Sequence, residues 1–98
     1  DEIATAKRVV GELRKQADIV VLLSHAGEAT DVKLAAEVPG IDVIVGGHSH
    51  SEVYPPRTVA SMIAGQSIIV QAGSYGTALG QLTVQVEATT ADADDRLS

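Results

Sequence analysis

The chain has 98 residues and a formal net charge of -6, and 45% of its residues are hydrophobic although Phe, Trp and Cys are absent. Disulfides and thiolate metal sites are therefore excluded, and the lack of a Lys/Arg stripe argues against a nucleic-acid polymer as a partner. No apolar run is long enough to span a bilayer, and a core of Val, Ile, Leu and Ala favours buried parallel strands covered by helices.

The chain begins with a pattern that is typical of an amphipathic helix. From Glu2 to Gln16, apolar residues recur at intervals of three and four, and charged residues fill the other face. The aliphatic run from Ile19 to Leu23 follows and predicts a short buried strand.

A second helix and a second strand come next. Thr30 or Asp31 is placed to cap a helix that continues to about Val38, where a Pro-Gly pair stops it. The run from Ile41 to Val45 predicts another buried strand. A strand, a helix and a strand in this order form a βαβ unit, which requires the two strands to be parallel.

The rest of the chain has weaker patterns. Tyr54 to Arg57 contains two prolines and predicts an extended, irregular segment, after which Thr58 to Ile63 predicts a short strand. Ser67 to Ala72 predicts a buried strand, and the alternation from Ala78 to Val86 predicts a strand with one wet face. The acidic stretch Thr89 to Ser98 is typical of a solvated tail. The predicted fold class is α/β, a βαβ unit with parallel strands plus a C-terminal antiparallel strand pair.

All three histidines of the chain follow strands of the predicted βαβ unit. His25 comes after the first strand, and His48 and His50 come after the second, with Gly or Ser beside each of them. Ligands bind at the carboxyl ends of strands in open α/β sheets, so all the imidazoles are predicted at one sheet edge. Neutral imidazole suits Zn, Mn, Fe or Ni, and the pattern is compatible with one open zinc site or with two metals.

Three motifs extend this pattern over most of the chain. They are Ser24-His25-Ala26-Gly27, Gly46-Gly47-His48-Ser49-His50 and Gln71-Ala72-Gly73-Ser74-Tyr75-Gly76. In this order and spacing they resemble the C-terminal half of the calcineurin-like metallophosphoesterase domain, and most of all the bacterial 5'-nucleotidase and 2',3'-cyclic-nucleotide phosphodiesterase group. The resemblance covers residues 1–87, with 88–98 as an acidic tail or the start of a linker, and it implies part of an α/β/β/α sandwich.

The resemblance implies a hydrolase that contains two divalent metal ions. His25 and His48 would bind one ion and His50 the other. The resemblance does not decide whether these ions are Mn, Zn, Fe, Ca or Ni. The implied reaction is attack of a metal-activated hydroxide on the phosphorus of a nucleotide or another phosphoester. Tyr75 is a candidate for contact with the substrate. Relatives of this kind are commonly periplasmic or secreted, so the resemblance implies that location.

The chain also departs from the family in a way that bears on activity. The DxH, GDxxD and GNHE motifs of the family's N-terminal half are absent, and the chain has no Asn at all. We therefore expect that this chain contains neither a catalytic acid nor a bridging carboxylate and that it is inactive without the missing N-terminal half. We also expect it to self-associate through apolar surface that the missing half would have covered. The alternatives are a non-catalytic module that binds one metal or completes a site with a partner, and a related sulfur-ester hydrolase.

Other polar residues near the histidines have competing explanations. Glu28 and Asp31 follow His25 closely and could reach a metal or an imidazole, although a position in the first turn of a helix explains them as well. Ser24 and Ser49 are weak candidates for a nucleophile, since a metal-activated water makes a serine nucleophile unnecessary.

Overall fold

The computed structural model describes residues 1–61 and 65–86, and this part of the chain folds into a helix-covered mixed sheet. Its elements are α1 (Glu2–Arg14), β1 (Val21–Leu23), α2 (Glu28–Glu37), β2 (Val43–Val45), β3 (Glu52–Ala60) and β4 (Gln66–Ala72). Neither helix of the described residues has both the length and the apolar character that crossing a membrane requires.

The sheet has the strand order β1-β2-β4-β3. β1 pairs with β2 and β2 with β4 in parallel, whereas β3 pairs with β4 in antiparallel orientation. The predicted α/β class is therefore confirmed, with β1, α2 and β2 as the βαβ unit and one antiparallel pair beside the parallel strands.

The hydrophobic core lies between the two helices and one face of the sheet. Ile44 and Ile69 are fully buried on the two central strands, and Leu34 and Val38 reach them from α2 and its end. Side chains alternate between faces along a strand, so Leu22 packs toward this core while its neighbours in β1 are exposed. On β2 the opposite face is also covered in part, since Val43 is buried as well as Ile44.

A polar contact ties the end of α1 to the start of the parallel strands. Asp42 accepts hydrogen bonds from the Arg14 guanidinium at 2.5 Å and from the backbone N–H of Val20 at 2.8 Å. Arg14 also donates to the carbonyl oxygen of Gly40 at 3.3 Å. The carboxylate before β2 therefore fixes the helix and both parallel strands at the end of the sheet away from the histidines.

The start of α2 differs from the prediction. The helix begins at Glu28 with Gly27 as its N-cap, so neither Thr30 nor Asp31 caps it. Asp31 lies in the first turn and is fully buried. Asp31 faces inward because its carboxylate accepts a hydrogen bond from Ser24 in the preceding loop.

The proline segment is extended and irregular, as predicted, but it is part of a longer strand. Tyr54 to Arg57 lies inside the nine-residue strand β3. The pairing of β3 with β4 shifts register between Val53 and Arg57, and such an irregularity accommodates residues that cannot donate to the ladder. The predicted strand from Thr58 to Ile63 forms the end of β3 as far as Ala60, and residues 62–64 lie outside the described residues.

The predicted strand from Ala78 to Val86 is not formed, since residues 78–86 have no strand assignment. Residues 78–86 are all exposed, and Gly80 approaches the side chain of Ala72. The antiparallel partner of β4 is β3. The predicted acidic tail, 88–98, lies outside the described residues, and the boundary at 87 stays a prediction.

Candidate metal centre

Two loops carry the histidines, and the fold places them side by side. The first histidine loop, residues 24–27, follows β1, and the second histidine loop, residues 46–51, follows β2. Because β1 and β2 are parallel neighbours with Leu23 opposite Val45, both loops leave the sheet at the same edge. The backbone N–H of Ser24 donates to the carbonyl oxygen of Val45 at 2.9 Å, which extends the pairing into the loops.

The structure brings two of the three predicted ligands together. The rings of His25 and His48 lie edge to face with their centroids 5.1 Å apart. Glycines permit this approach, since a Cβ on Gly47 would lie 3.1 Å from Nδ1 of His25 and a Cβ on Gly27 would lie 3.7 Å from Cδ2 of His48. All three imidazoles are exposed and can be reached by an ion from solvent.

The third predicted ligand lies apart from this pair. The ring of His50 contacts the ring of Tyr75, with centroids 5.3 Å apart in an edge-to-face arrangement. Tyr75, the predicted substrate contact, is 89% exposed. Within residues 1–61 and 65–86, no three side chains of His, Asp or Glu stand close enough together to hold an ion. The donor set is thus a pair plus one separate imidazole.

The backbone of these same residues is unusual. His48, His50 and Tyr75 have φ values of 73°, 59° and 57°, and they are the non-glycine residues with positive φ in the described part of the chain. Side chains other than glycine adopt this left-handed region at a cost of roughly 1 to 3 kcal/mol each, and such residues concentrate at functional sites. The surrounding contacts must therefore hold the second histidine loop in this shape.

A buried carboxylate lies behind the first histidine loop. Asp31 of α2 is fully buried and accepts a hydrogen bond of 2.5 Å from the hydroxyl of Ser24. Burial raises the pKa of Asp31 above its usual range, the Ser24 hydrogen bond opposes this rise, and nearby Glu28 adds to it. Ser24 in turn accepts from the backbone N–H of Ala26 at 3.2 Å. Asp31 therefore faces the protein interior and holds the first histidine loop through its hydrogen bond with Ser24.

The other residues considered near His25 also have partners within the fold. Glu28 forms an ion pair with Arg57 of β3 at 3.2 Å, and its backbone N–H donates to the hydroxyl of Ser49 at 3.1 Å. The hydroxyl of Ser49 also lies 2.8 Å from that of Ser51. Both Ser24 and Ser49 therefore take part in loop hydrogen bonds.

Sequence reasoning missed the side chain that fixes the second histidine loop. Gln71 of β4 is 5% exposed, and its Oε1 accepts from the backbone N–H of Ser51 at 2.8 Å and from the hydroxyl of Ser49 at 3.3 Å. The available signal was a glutamine inside an aliphatic strand, two residues after Ile69 and so on the same covered face. A polar residue at such a position needs a partner.

Gly46 has its own structural reason to be glycine. A Cβ at this position would collide with Oδ2 of Asp31 and would lie 3.2 Å from Nε2 of Gln71. The space beside Gly46 is therefore taken by two buried polar side chains of the protein.

The residues present fit part of a metal centre. Neutral imidazoles are good ligands for divalent transition metals, and His25 and His48 offer two exposed rings at one place. The buried Asp31 and Gln71 lie behind the loops and accept hydrogen bonds from Ser24 and from Ser51. A complete centre needs further donors beyond those that the described residues bring together.

Comparison with known proteins gives a consistent set of relatives. No protein-family model matches the chain. The chain is 34% identical over 86 residues to the trifunctional nucleotide phosphoesterase protein YfkN of Bacillus subtilis, covering 86% of this chain and 6% of that protein. It is 32% identical over 104 residues to a probable 5'-nucleotidase of Treponema pallidum, covering 91% of this chain and 18% of the relative.

Solved structures agree with this result. The fold matches the crystal structure of a 5'-nucleotidase precursor from Thermus thermophilus with a TM-score of 0.69 and 35% sequence identity, over 78% of this chain and 18% of that one. The chain therefore spans less than a fifth of the length of each of these relatives.

Proposed function

Because this chain belongs to the 5'-nucleotidase-type metallophosphoesterases, we propose that it supplies part of the metal centre of a hydrolase that acts on nucleotides. The observation that carries the proposal is the pairing of His25 and His48 at the carboxyl edge of a parallel sheet. Relatives named as nucleotide phosphoesterase and 5'-nucleotidase support nucleotides as the substrate class.

The three histidines have separate roles in this proposal. His25 and His48 bind one divalent ion, and His50 contributes to a second one, in line with the separation of its ring from the pair. Bound metal ions supply a Lewis acid that activates water and stabilises negative charge on the phosphoryl oxygens. The identity of the metals is left open by these imidazoles, which suit several transition metals.

Tyr75 is the proposed substrate contact. Its ring is 89% exposed and lies beside His50, so one face of it is open to a ligand that approaches the histidines. Its backbone has a positive φ of 57°. A phosphoester that binds beside His50 would therefore have access to the exposed ring of Tyr75.

Catalysis requires residues beyond those of the 98-residue chain. The described residues bring together no third donor for an ion, and the sequence has no Asn and none of the family's N-terminal motifs. We therefore propose that the chain by itself does not hydrolyse phosphoesters and that the N-terminal part of such a domain completes the site. A periplasmic or secreted location is also proposed, in line with a structural relative that is named as a precursor.

A segment exchange tests this proposal directly. The 98 residues would replace the matching segment of the Thermus thermophilus 5'-nucleotidase, to which they are 35% identical. We expect the chimera to hydrolyse AMP and p-nitrophenyl phosphate with added Mn²⁺ or Zn²⁺, and the same chimera with His48→Ala to lose most of this activity. The isolated chain should show no turnover under the same conditions.

Two outcomes would overturn the proposal. One is a folded chimera that is inactive, or equally active with and without His48. The other is turnover by the isolated chain near the median of about 10 per second for ordinary enzymes. A folded chimera that binds metal but hydrolyses no phosphoester would instead favour the non-catalytic metal-binding module.

A further inference from the structure

We propose that Asp31 and Gln71 form one buried positioning unit that fixes the two histidine loops relative to each other before a metal binds. Asp31 sits on α2 and Gln71 on β4, and both are buried among core residues of these elements. The histidine loops, by contrast, consist mostly of glycine, serine and exposed histidine. The rigid elements therefore carry the anchors, and the loops carry the ligands.

Each side chain anchors one loop with one half of its polar group. Oδ1 of Asp31 accepts from the hydroxyl of Ser24, the residue before His25, at 2.5 Å. Oε1 of Gln71 accepts from the backbone N–H of Ser51, the residue after His50, at 2.8 Å. It also accepts from Ser49, which lies between the two histidines of its loop, at 3.3 Å.

The remaining halves of the two polar groups point to the same place. Oδ2 of Asp31 and Nε2 of Gln71 are buried, and neither has a hydrogen-bond partner among the described residues. Both atoms approach the point where a Cβ of Gly46 would stand. One is an acceptor and the other a donor, and a buried polar group without a partner is costly. The two atoms are not hydrogen-bonded to each other in the structure, and in the proposed unit the amide of Gln71 donates to the carboxylate of Asp31 across Gly46.

This bond would explain why the second histidine loop keeps its unusual backbone. His48 and His50 have positive φ, a conformation that persists only where neighbouring contacts enforce it. Ser49 and Ser51, which Gln71 holds, flank these residues on the loop. Through Asp31 the same unit reaches Ser24 and so places His25 beside His48.

The first test uses the metal-free 98-residue chain and does not depend on the proposed function. Gln71→Glu sets two carboxylates against each other and should lower the urea midpoint of unfolding. Adding Asp31→Asn restores an amide and a carboxylate with their positions exchanged, so the double variant should unfold at a higher urea concentration than Gln71→Glu. The single variant Asp31→Asn is measured as well. If the change in the free energy of unfolding of the double variant equals the sum of the changes in the two single variants, the side chains do not interact and the inference is overturned.

The second test follows the loop backbone by NMR. Gln71→Leu removes hydrogen bonding with little change in shape, and we expect His48 and His50 to lose their positive φ. The matched control is Ser67→Ala, which removes a buried hydrogen bond of 2.6 Å to Ile41 from the same face of β4, at its other end. Unchanged φ values in Gln71→Leu would contradict the inference, and if that variant does not fold, the urea comparison of Gln71→Glu with the double variant decides.

The third test rests on the proposed function. Removal of a side chain that positions the metal ligands typically weakens metal binding by about 10- to 100-fold. Gln71→Leu should show such a loss for Zn²⁺ by titration calorimetry, whereas Ser67→Ala should bind like the parent. Equal affinities of the two variants would count against the positioning role. A parent chain that binds no Zn²⁺ by itself would mean that its imidazoles do not hold the ion without further donors, and the urea and NMR tests would then decide this inference.

Discussion

The rings of His25 and His48 meet edge to face with their centroids 5.1 Å apart, although the two residues come from different loops. The contact depends on Gly47, which leaves room for the His25 ring, and on Gly27, which lies against His48. His50 turns to Tyr75 instead. This division of the three imidazoles determines how they should behave toward metal.

The histidine pair should act as one unit in metal binding. We expect His25→Ala and His48→Ala each to lower Zn²⁺ or Mn²⁺ affinity, and the double variant to lose little beyond the stronger single effect, because both rings serve one ion. His50→Ala should act independently of them. Affinity should also fall as the solution is acidified, since a protonated imidazole cannot bind a metal.

Titration calorimetry of the 98-residue chain measures these affinities. Glu12→Gln is a suitable control, because Glu12 lies on α1 and its side chain is 64% exposed. If the parent, the three histidine variants and the control all bind alike, the histidines are structural and the proposed centre is wrong.

A methyl group on Gly46 should destabilise the fold. Its Cβ would collide with the buried carboxylate of Asp31 and press on Gln71, and neither side chain is free to move to solvent. Overpacking of this kind costs about 1 to 3 kcal/mol, so Gly46→Ala should lower the free energy of unfolding by that amount. Urea denaturation of the metal-free chain measures the change.

Gly11→Ala provides the opposite control. Gly11 lies within α1, and a Cβ there would have no neighbour within 4 Å. Alanine in a helix is favoured over glycine by about 0.5 to 1 kcal/mol, so this variant should be more stable than the parent. Equal responses to the two substitutions would mean that space beside Gly46 is not limiting.

The parts of the fold that depend on local patterns could be predicted from the sequence. The aliphatic runs around Leu22 and Ile44 are covered on one or both faces, and an intervening helix forces them to be parallel. That topology alone brought His25 and His48 to one edge. Prediction succeeded here because hydrophobic periodicity and chain connectivity both act over short stretches.

The failures came where tertiary contacts outweigh local signals. Two prolines predicted an extended, irregular segment from Tyr54 to Arg57, which the shift of register confirms, yet they did not indicate that pairing with β4 continues one strand through it. Asp31 looked like a cap because its position in the sequence suits one, yet a hydrogen bond to Ser24 draws it inward. The link through Gln71 joins segments 20 residues apart, and no local pattern reports such a contact.

Ionisation of Asp31 should change the free energy of unfolding. Burial raises its pKa above the usual 3.8, with Ser24 opposing the rise and Glu28 adding to it. The folded chain therefore holds this proton more tightly than the unfolded chain. The resulting stabilisation is fully present below pH 3.8 and is lost as the pH rises through the raised pKa of the folded state.

Asp31→Asn removes this dependence, because an amide does not ionise in the same range. The free energy of unfolding of the parent, relative to that of the variant, should therefore fall as the pH rises through the same interval. Urea denaturation at a series of pH values provides the measurement. A difference between parent and variant that stays constant with pH would show that the carboxyl group titrates as it does in the unfolded chain.

The sheet face opposite the helices carries exposed aliphatic side chains. Val21, Leu23 and Val45 are 56%, 82% and 37% exposed, and within the described residues β1 pairs only with β2 and so lies at the edge of the sheet. Unpaired edges and contiguous apolar patches promote association. We propose that a second copy of the 98-residue chain covers this surface and that the net charge of -6 limits growth beyond a closed dimer.

Leu23→Lys should therefore convert the dimer to a monomer, because it places a charge at the centre of the proposed contact while replacing a side chain that is 82% exposed. A substitution at such an exposed site changes stability by only about 0.5 kcal/mol, so the variant should stay folded. Val9→Lys on α1, where Val9 is 40% exposed, is the matched control and should stay dimeric. Light scattering over a range of concentrations distinguishes the states. A parent chain that is monomeric at high concentration and binds no hydrophobic dye would mean that residues of the chain itself cover this face, and β1 would then offer no surface to a second copy.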